Sequence, residues 1–487
     1  MSNKSKSILL LLSKAFSAMV TMGSMMFIAR GLSINDYSEY RQVITIVSLI
    51  VSIFSIGLPS SILYFLTGKE KEKYLSNIYL GLSILCLILA IFSYPIMLLS
   101  NNNFDTKIFT ESYSLISVLI ILSLITSILE NLYISYNKIK LILFTSFAPN
   151  LIYIILVIYL YWNHSDSNSV VIALIMRELV KVFLFFKFVS KHKMKIKYIK
   201  YDKIKEVLFF GIPIGLSSLI GSLNTNIDKL LVGRYLDDRS FAIISNGSYE
   251  IPVLSLVGIS LFNILIPSLK HKLDLGNNSE VLKLWRRAGE VMITVIIPIT
   301  IGTIIFAKEI IVFLFSNKYL DAVIIFQIYQ INAITRIYIY GTFFLAAGQS
   351  KRYTQNSIYH LVNNFLLSLI LINFLGVLGV ALAAVLSNII QVFIQNYQIS
   401  KILKVQMKNV FPYKSLSFAI MICVSLTYLG YFIYMNLTGF NILIGISVMG
   451  TTVLLTMLVL NFLINREILD YGIQFYLKLQ SKFKLRN

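Results

Sequence analysis

ILLLLSKAFSAMVTMGSMMFIAR, residues Ile8–Arg30, decides the fold when it is set beside IPIGLSSLIGSLNTNIDKLLVGR, residues Ile212–Arg234. Each exceeds the ~20 residues an α-helix needs to cross a bilayer, and the two lie 204 residues apart. In the first, Lys14, Ser17, Thr21 and Ser24 recur at steps of three and four, which places them on one helix face. Adding 204 to each lands on Ser218, Gly221, Thr225 and Asp228, again one face. Two apolar helices carrying a polar stripe at the same register predict a duplicated bundle whose copies line one cavity. For Ser, Thr and Gly the alternative is close helix packing, which suits Lys14 and Asp228 much less well. The same shift lays Ala29, Arg30, Leu32 and Tyr37 on Gly233, Arg234, Leu236 and Phe241 without gaps.

The whole chain has the composition these stretches require. Of 487 residues, 57% are apolar or aromatic and 13% are charged, and the mean hydropathy is +0.78. A water-soluble chain would carry roughly 25% charged residues, so a soluble globular enzyme is not expected. The expectation is an all-α polytopic membrane protein. Fourteen apolar runs qualify as spans: 8–30, 42–66, 77–99, 113–135, 140–162, 169–190, 207–232, 241–266, 288–308, 322–347, 355–375, 377–399, 414–435 and 440–464. The eleventh and twelfth are separated by little more than Gly376, and merging them would invert everything downstream.

Lys and Arg orient these runs, because short cytoplasmic loops keep positive charge. With the N-terminus inside, 31 of the 43 basic residues fall in the tails and even-to-odd connections, 7 fall on the opposite side and 5 fall inside spans. Both termini are therefore expected in the cytoplasm. The same distribution accounts for the net charge of +21 without a nucleic-acid partner, since eight separate loops share it and no nucleic-acid-binding motif accompanies it. The run Lys191, Lys193, Lys195, Lys197, Lys200, Lys203 and Lys205 reads as a strip lying on anionic headgroups. It divides the chain into a six-helix lobe at 1–190, a basic linker at 191–206, a second six-helix lobe at 207–400, and two further helices with a tail at 401–487. The first span lacks a convincing small-x-small cleavage site and reads as a retained helix.

Charges at mid-membrane are costly and usually face a bundle interior or a wet cavity. The cations there are Lys14, Arg177, Lys181, Lys229 and Arg336, and the acids are Glu130, Glu178, Asp228 and Glu250. Arg177 and Lys181 share a face of the sixth span, with Glu178 three residues from Lys181; a lumen holding water or an anion would relieve the pair, and so would snorkelling by Lys181. Ser123, Ser127 and Glu130 form a face of the fourth span, and Tyr329, Asn332, Arg336 and Tyr340 one of the tenth. Asn356, His360, Asn363 and Asn364 cluster on the eleventh, where a histidine is more often a packing group than a proton carrier.

Catalytic signatures are missing from the sequence. There are four histidines, with no HExxH, Gly-rich phosphate loop or metal-ligand spacing, and Cys86 and Cys423 each sit inside an apolar run, so no disulfide framework is available. Neither a cofactor nor a metal is expected, and a coupling ion, H+ or Na+, is left open.

The stretch Phe27-Ile-Ala-Arg-Gly-Leu-Ser-Ile-Asn-Asp-Tyr-Ser-Glu-Tyr40 resembles the opening of polysaccharide-biosynthesis membrane proteins, the Wzx-type lipid-linked oligosaccharide flippases. Arg30, Leu32, Tyr37 and Tyr40 match that family's Ala-Arg-x-Leu and Tyr-Gly-x-Tyr elements, and Ser38 stands where Gly is usual. Asn226-Ile-Asp-Lys-Leu-Leu-Val-Gly233 is similar to the segment the family carries in its seventh helix. The resemblance implies a MATE-like bundle of two rocking lobes that flips an undecaprenyl-diphosphate-linked sugar unit to the outer leaflet of the bacterial inner membrane, for O-antigen, capsule or a related glycan. It implies no covalent chemistry, and it brings polysaccharide polymerase and chain-length machinery into view as partners. Within it, Lys14, Arg177, Lys181 and Arg336 are candidates for holding the diphosphate, and Asp228, Glu250, Glu130 and Glu178 for gating or ion coupling. Ser17, Thr21, Ser24, Thr225, Asn332 and His360 would line the cavity. The competing readings are a cation-coupled multidrug exporter, which should carry cavity acids in both halves, and a membrane-embedded glycan polymerase or ligase, which should carry a large external loop.

Overall fold

The computed structural model describes residues 3–464 except 56, 68–70, 105, 107, 164–165, 193–197 and 438–440, and leaves aside the side chains of 3–8, 11, 252, 253, 255, 256, 259, 260, 263 and 437. The expectations on Lys4, Lys6, Lys69, Lys107, His164, Lys193, Lys195, Lys197 and the basic tail Arg466–Arg486 lie outside the described residues.

Every regular element among the described residues is helical, as a bilayer demands of a chain that must satisfy its backbone groups locally. Contacts divide the chain into two compact units, Met1–Ser245 with Leu314–Lys318, and Asn246–Phe313 with Tyr319–Asn487. The first unit runs through α1 (Asn3–Gly31), α2 (Ile34–Phe54), α3 (Leu58–Phe65), α4 (Lys71–Phe104), α5 (Ile108–Glu111), α6 (Tyr113–Ser127), α7 (Leu129–Ser135), α8 (Ile139–Trp162), α9 (Ser167–Lys191), α10 (Tyr201–Tyr235) and the start of α11 (Asp238–Gly247). In the second lie α12 (Pro252–Asp274), α13 (Asn278–Ile305), most of α14 (Ala307–Phe315), α15 (Ala322–Thr335), α16 (Tyr340–Ala346), α17 (Ser350–Leu403), α18 (Tyr413–Leu437) and α19 (Ile442–Ile464). The division falls after Ser245 and not at the basic linker, because α10 packs on α2, α3 and α4.

The helix starts follow from local chemistry. Ser33 Oγ accepts from Asp36 N at 3.1 Å to open α2, and Asp166 Oδ1 accepts from Ser169 N at 3.1 Å to open α9; both satisfy otherwise orphaned amides. The 204-residue shift recurs in two helix boundaries. α1 and α10 end at Gly31 and Tyr235, and α2 and α11 begin at Ile34 and Asp238, both pairs 204 residues apart. The copies then diverge. α2 continues to Phe54, whereas α11 stops at Gly247 and the chain restarts at Pro252, because proline has no amide to give and restricts the residue before it.

Four expected spans are broken helices. The second is α2 followed by α3, the fourth is α6 followed by α7 at Ile128, the eighth is α11 followed by α12, and the tenth is α15 followed by α16 across Arg336–Ile339. Gly57 lies at the first break with φ of 67°, and a Cβ there would collide with the carbonyl of Gly211 on α10. Glycine is needed twice over at that position.

Ten helices among the described residues are long and apolar enough to cross a membrane, and eleven if α2 and α3 count as one bent span. Beyond the bent α2–α3 pair, the expected count of fourteen is higher for three reasons. The charged α9 and the helix α12 are absent from the ten, and α17 enters as a single 54-residue helix. Gly376 interrupts α17 at φ 55°, ψ −132°, and the two limbs fold back on each other. Asn356 Nδ2 donates to Gln398 Oε1 at 2.7 Å and Gln398 Nε2 donates back to Asn356 Oδ1 at 3.0 Å. The eleventh and twelfth spans are separate limbs.

Candidate functional site

A cavity of about 630 Å³ opens inside the first unit, walled by α1, α2, α6, α7, α8 and α9. Its charged wall is α9. Glu178 is buried, and its Oε1 accepts from Lys181 Nζ at 2.8 Å and from Arg177 Nε at 3.0 Å and Nη2 at 2.9 Å. Its Oε2 accepts from Thr126 Oγ1 on α6 at 2.6 Å. The Arg177 guanidinium lies 5.0 Å from the centre of the Tyr153 ring on α8, and the Tyr153 and Tyr40 hydroxyls are 3.3 Å apart. The helical step of three that sets Lys181 over Glu178 therefore eases the like-charge problem: the intervening carboxylate bridges the two cations and leaves one net positive charge, and Lys181 does not snorkel. A buried carboxylate with two cations and a hydroxyl has its oxygens satisfied, which makes such a cluster tolerable in a dry bundle.

Glu130, at the start of α7, lines the same cavity, and Lys14 Nζ lies 3.9 Å from its Oε1, with side chains 57% and 47% exposed. Thr21 and Ser24 are on the wall and satisfy their hydroxyls on their own helix, Thr21 Oγ1 to the Ser17 carbonyl at 2.9 Å and Ser24 Oγ to the Val20 carbonyl at 2.7 Å. Ser17 turns toward α8, where Asn150 Nδ2 donates to its Oγ at 3.1 Å beside the stacked Phe16 and Phe147 rings; this is packing. The stripe on α10 repeats the gradient of α1. Lys14 and Thr21 are exposed and Ser24 is buried, while Ser218 and Thr225 are exposed and Asp228 is buried. Thr225 Oγ1 donates to the Ser222 carbonyl at 2.9 Å.

In the second unit Arg336 and Glu250 meet. Both guanidinium Nη atoms donate to the two carboxylate oxygens in a bidentate pair, with side chains 47% and 56% exposed. Each comes from a helix break: Glu250 from the connection before Pro252, and Arg336 from the C-cap of α15. That geometry corrects the single face expected for the tenth span. Because the helix stops at Thr335, Arg336 and Tyr340 part company, and Tyr340 OH is buried against Asn396 Oδ1 at 3.2 Å. Asn332 is buried on α15. His360 Nε2 lies 3.4 Å from Ser387 Oγ, pairing the two limbs of α17.

The division into substrate-holding cations and gating acids therefore takes another form. Lys14 with Glu130 and Arg336 with Glu250 are pairs, and Arg177 and Lys181 with Glu178 are a trio, so each group joins candidates of both classes. Thr126, Tyr40 and Tyr153 belong to the first site; Thr126 and Tyr153 carried no signal of their own, since hydroxyls and rings at helical spacing are ordinary packing groups, and Tyr40 entered only through the family resemblance. Among the described residues no group of three or more His, Cys, Asp or Glu could hold a metal ion.

A family model described as polysaccharide biosynthesis protein matches residues 27–324, more than half of the sequence. The chain belongs to the polysaccharide biosynthesis protein family. Capsular polysaccharide biosynthesis protein CapF of Staphylococcus aureus is 24% identical over 369 residues, 73% of this chain and 88% of CapF. Among solved structures, lipid II flippase MurJ in an inward closed conformation matches with a TM-score of 0.73 at 21% identity, over 95% of this chain and 100% of the MurJ chain. A multidrug resistance MATE family transporter of the MOP superfamily, inward-facing, matches with a TM-score of 0.61 at 13% identity, over 80% and 96%. At these identities the likeness is one of fold. It agrees with the MATE-like, all-helical, multi-pass membrane architecture expected from Arg30, Leu32, Tyr37, Tyr40 and Asn226–Gly233. The fold is one found in a lipid II flippase and in a multidrug resistance transporter.

Proposed function

We propose that the chain is a flippase that carries an undecaprenyl-diphosphate-linked oligosaccharide from the cytoplasmic to the outer leaflet of the bacterial inner membrane by alternating access, with both termini cytoplasmic. The observation that carries the reading is the first-unit cavity, where Arg177 and Lys181 both lean on one buried carboxylate. With Lys14 beside Glu130, three cations meet two acids there. A diphosphate entering the cavity meets preassembled donors in a medium where charge interactions are stronger than in water, and Glu178 holds those donors in place until it arrives. Membership in a polysaccharide biosynthesis family supplies the chemical context.

The multidrug exporter reading keeps one observation of its own: carboxylates stand in both units, Glu130 and Glu178 in the first and Glu250 in the second. A leaflet assay on a deletion strain separates the two. The flippase reading expects lipid-linked repeat units held on the cytoplasmic leaflet and surface glycan lost. Units that reach the outer leaflet at the normal rate in that strain would overturn it, and if they stay unpolymerised a polymerase takes its place.

A further inference from the structure

A second cleft, of about 670 Å³, opens in the second unit where the end of α12 meets the first turns of α13. It is lined by the cations Lys272, Lys283, Arg286 and Arg287 and by the carboxylates Glu280 and Glu290. Both carboxylates are committed. Glu280 Oε2 pairs with Lys272 Nζ at 3.2 Å and Glu290 Oε2 with Arg287 Nη1 at 3.5 Å. Arg287 Nη1 also donates to the Ile464 carbonyl at the end of α19 at 3.1 Å, and Ser415 Oγ of α18 donates to Glu290 Oε1 at 3.4 Å. These two side chains are structural ties. Among the lining residues no carboxylate is left for Lys283 and Arg286, which stand three apart on one face of α13.

We propose that this cleft binds the phosphodiester headgroup of an anionic phospholipid of the cytoplasmic leaflet, held by Lys283 and Arg286. The depth fits a lipid. Trp285, between the two cations in sequence, is buried in the core and stacked on Tyr338 at 4.4 Å between ring centres, which fixes this turn of α13, and the apolar stretch of the helix follows immediately. Leu282 and Leu284 also line the cleft and give the glycerol and upper acyl carbons an apolar wall. A free phosphate uses the two cations and gains nothing from that wall. Anchoring in the leaflet also raises the headgroup's local concentration, and each basic residue near an anionic leaflet contributes about fivefold in affinity.

The test reads lipid retention, not transport, so it stands apart from the flippase reading. Purified full-length protein is incubated with phosphatidylglycerol or phosphatidylcholine and examined by native mass spectrometry, with inorganic phosphate as competitor. The wild type is expected to retain phosphatidylglycerol in preference to phosphatidylcholine, and Lys283→Ala with Arg286→Ala to lower that preference roughly 25-fold. Lys270→Ala, whose side chain pairs with Asp274 on the surface, is the matched control and should leave the preference intact. If the double variant fails to fold, Lys283→Gln at its exposed position is expected to lose about fivefold. Equal retention of the two lipids by the wild type, an unchanged preference in the variants, or displacement of phosphatidylglycerol by millimolar inorganic phosphate would each overturn the proposal.

Discussion

The two ion-paired sites are built on opposite plans. In the first unit Arg177, Glu178 and Lys181 lie within two turns of a continuous helix, and the carboxylate side chain is only 3% exposed. In the second, Arg336 and Glu250 come from two helix breaks 86 residues apart, and each side chain is about half exposed. The first arrangement is locked by its own helix and by Thr126. The second is joined by a single bidentate contact between two loops, so it can part without dismantling a helix. The lesson is that similar charges in one membrane protein can serve as rigid scaffold at one site and as a releasable clasp at another, with backbone continuity deciding which.

That contrast is open to experiment, and the largest effect is expected at Glu178. Glu178→Ala leaves two cations facing each other in a buried site, and breaking a buried pair costs roughly 3–5 kcal/mol. The purified variant should melt well below wild type and its membrane abundance should fall, whereas wild-type melting would erase the distinction. Arg336→Ala is expected to stay within about 1 kcal/mol of wild-type stability, as exposed pairs do, while abolishing surface glycan at normal membrane abundance. A collapse of abundance comparable to Glu178→Ala would make the second site scaffold as well.

Lys14→Ala should change stability still less, roughly 0.2–1 kcal/mol, because its partner Glu130 is 3.9 Å away and both are exposed. Surface glycan measured at matched abundance is the sensitive readout, and its persistence would remove Lys14 from the cavity proposal. The smallest effect is a pH dependence at the rim of the first unit, beyond the end of α9. His192 stacks on Phe188 with Lys138 Nζ 3.5 Å from its Nε2. Burial, and then the nearby cations, hold its ionisation below the usual value. The folded chain therefore keeps His192 neutral while an unfolded one takes up a proton below about pH 6.5. The stability it supports is complete above that pH and declines as pH falls toward the folded value. His192→Phe should flatten that slope in a thermal melt series between pH 7 and pH 5.

The sequence carried what periodicity can carry. The placing of Thr21 and Ser24 on one wall and the Arg177–Glu178–Lys181 spacing follow from helix geometry alone and persist in the structure, and the 204-residue shift recurs in the boundaries of α1, α2, α10 and α11. What it hid were partners distant along the chain: Thr126 on Glu178, Tyr40 beside Tyr153, and Glu250 on Arg336. No local pattern encodes which spans adjoin. The helix breaks fall between these extremes. Pro252 is a visible stop, and its counterpart 204 residues earlier is Ser48 inside an unbroken helix, so the difference between the copies was written in plain letters. The break at Arg336–Ile339 has no proline or glycine to announce it.

Gly376 has a reach out of proportion to its size. With φ at 55° and ψ at −132° it turns α17 back on itself, in a region that costs an ordinary L-residue about 1–3 kcal/mol. The fold-back adds one crossing to the reading from sequence, so one torsion angle decides whether α18 and α19 run in the directions that reading expects.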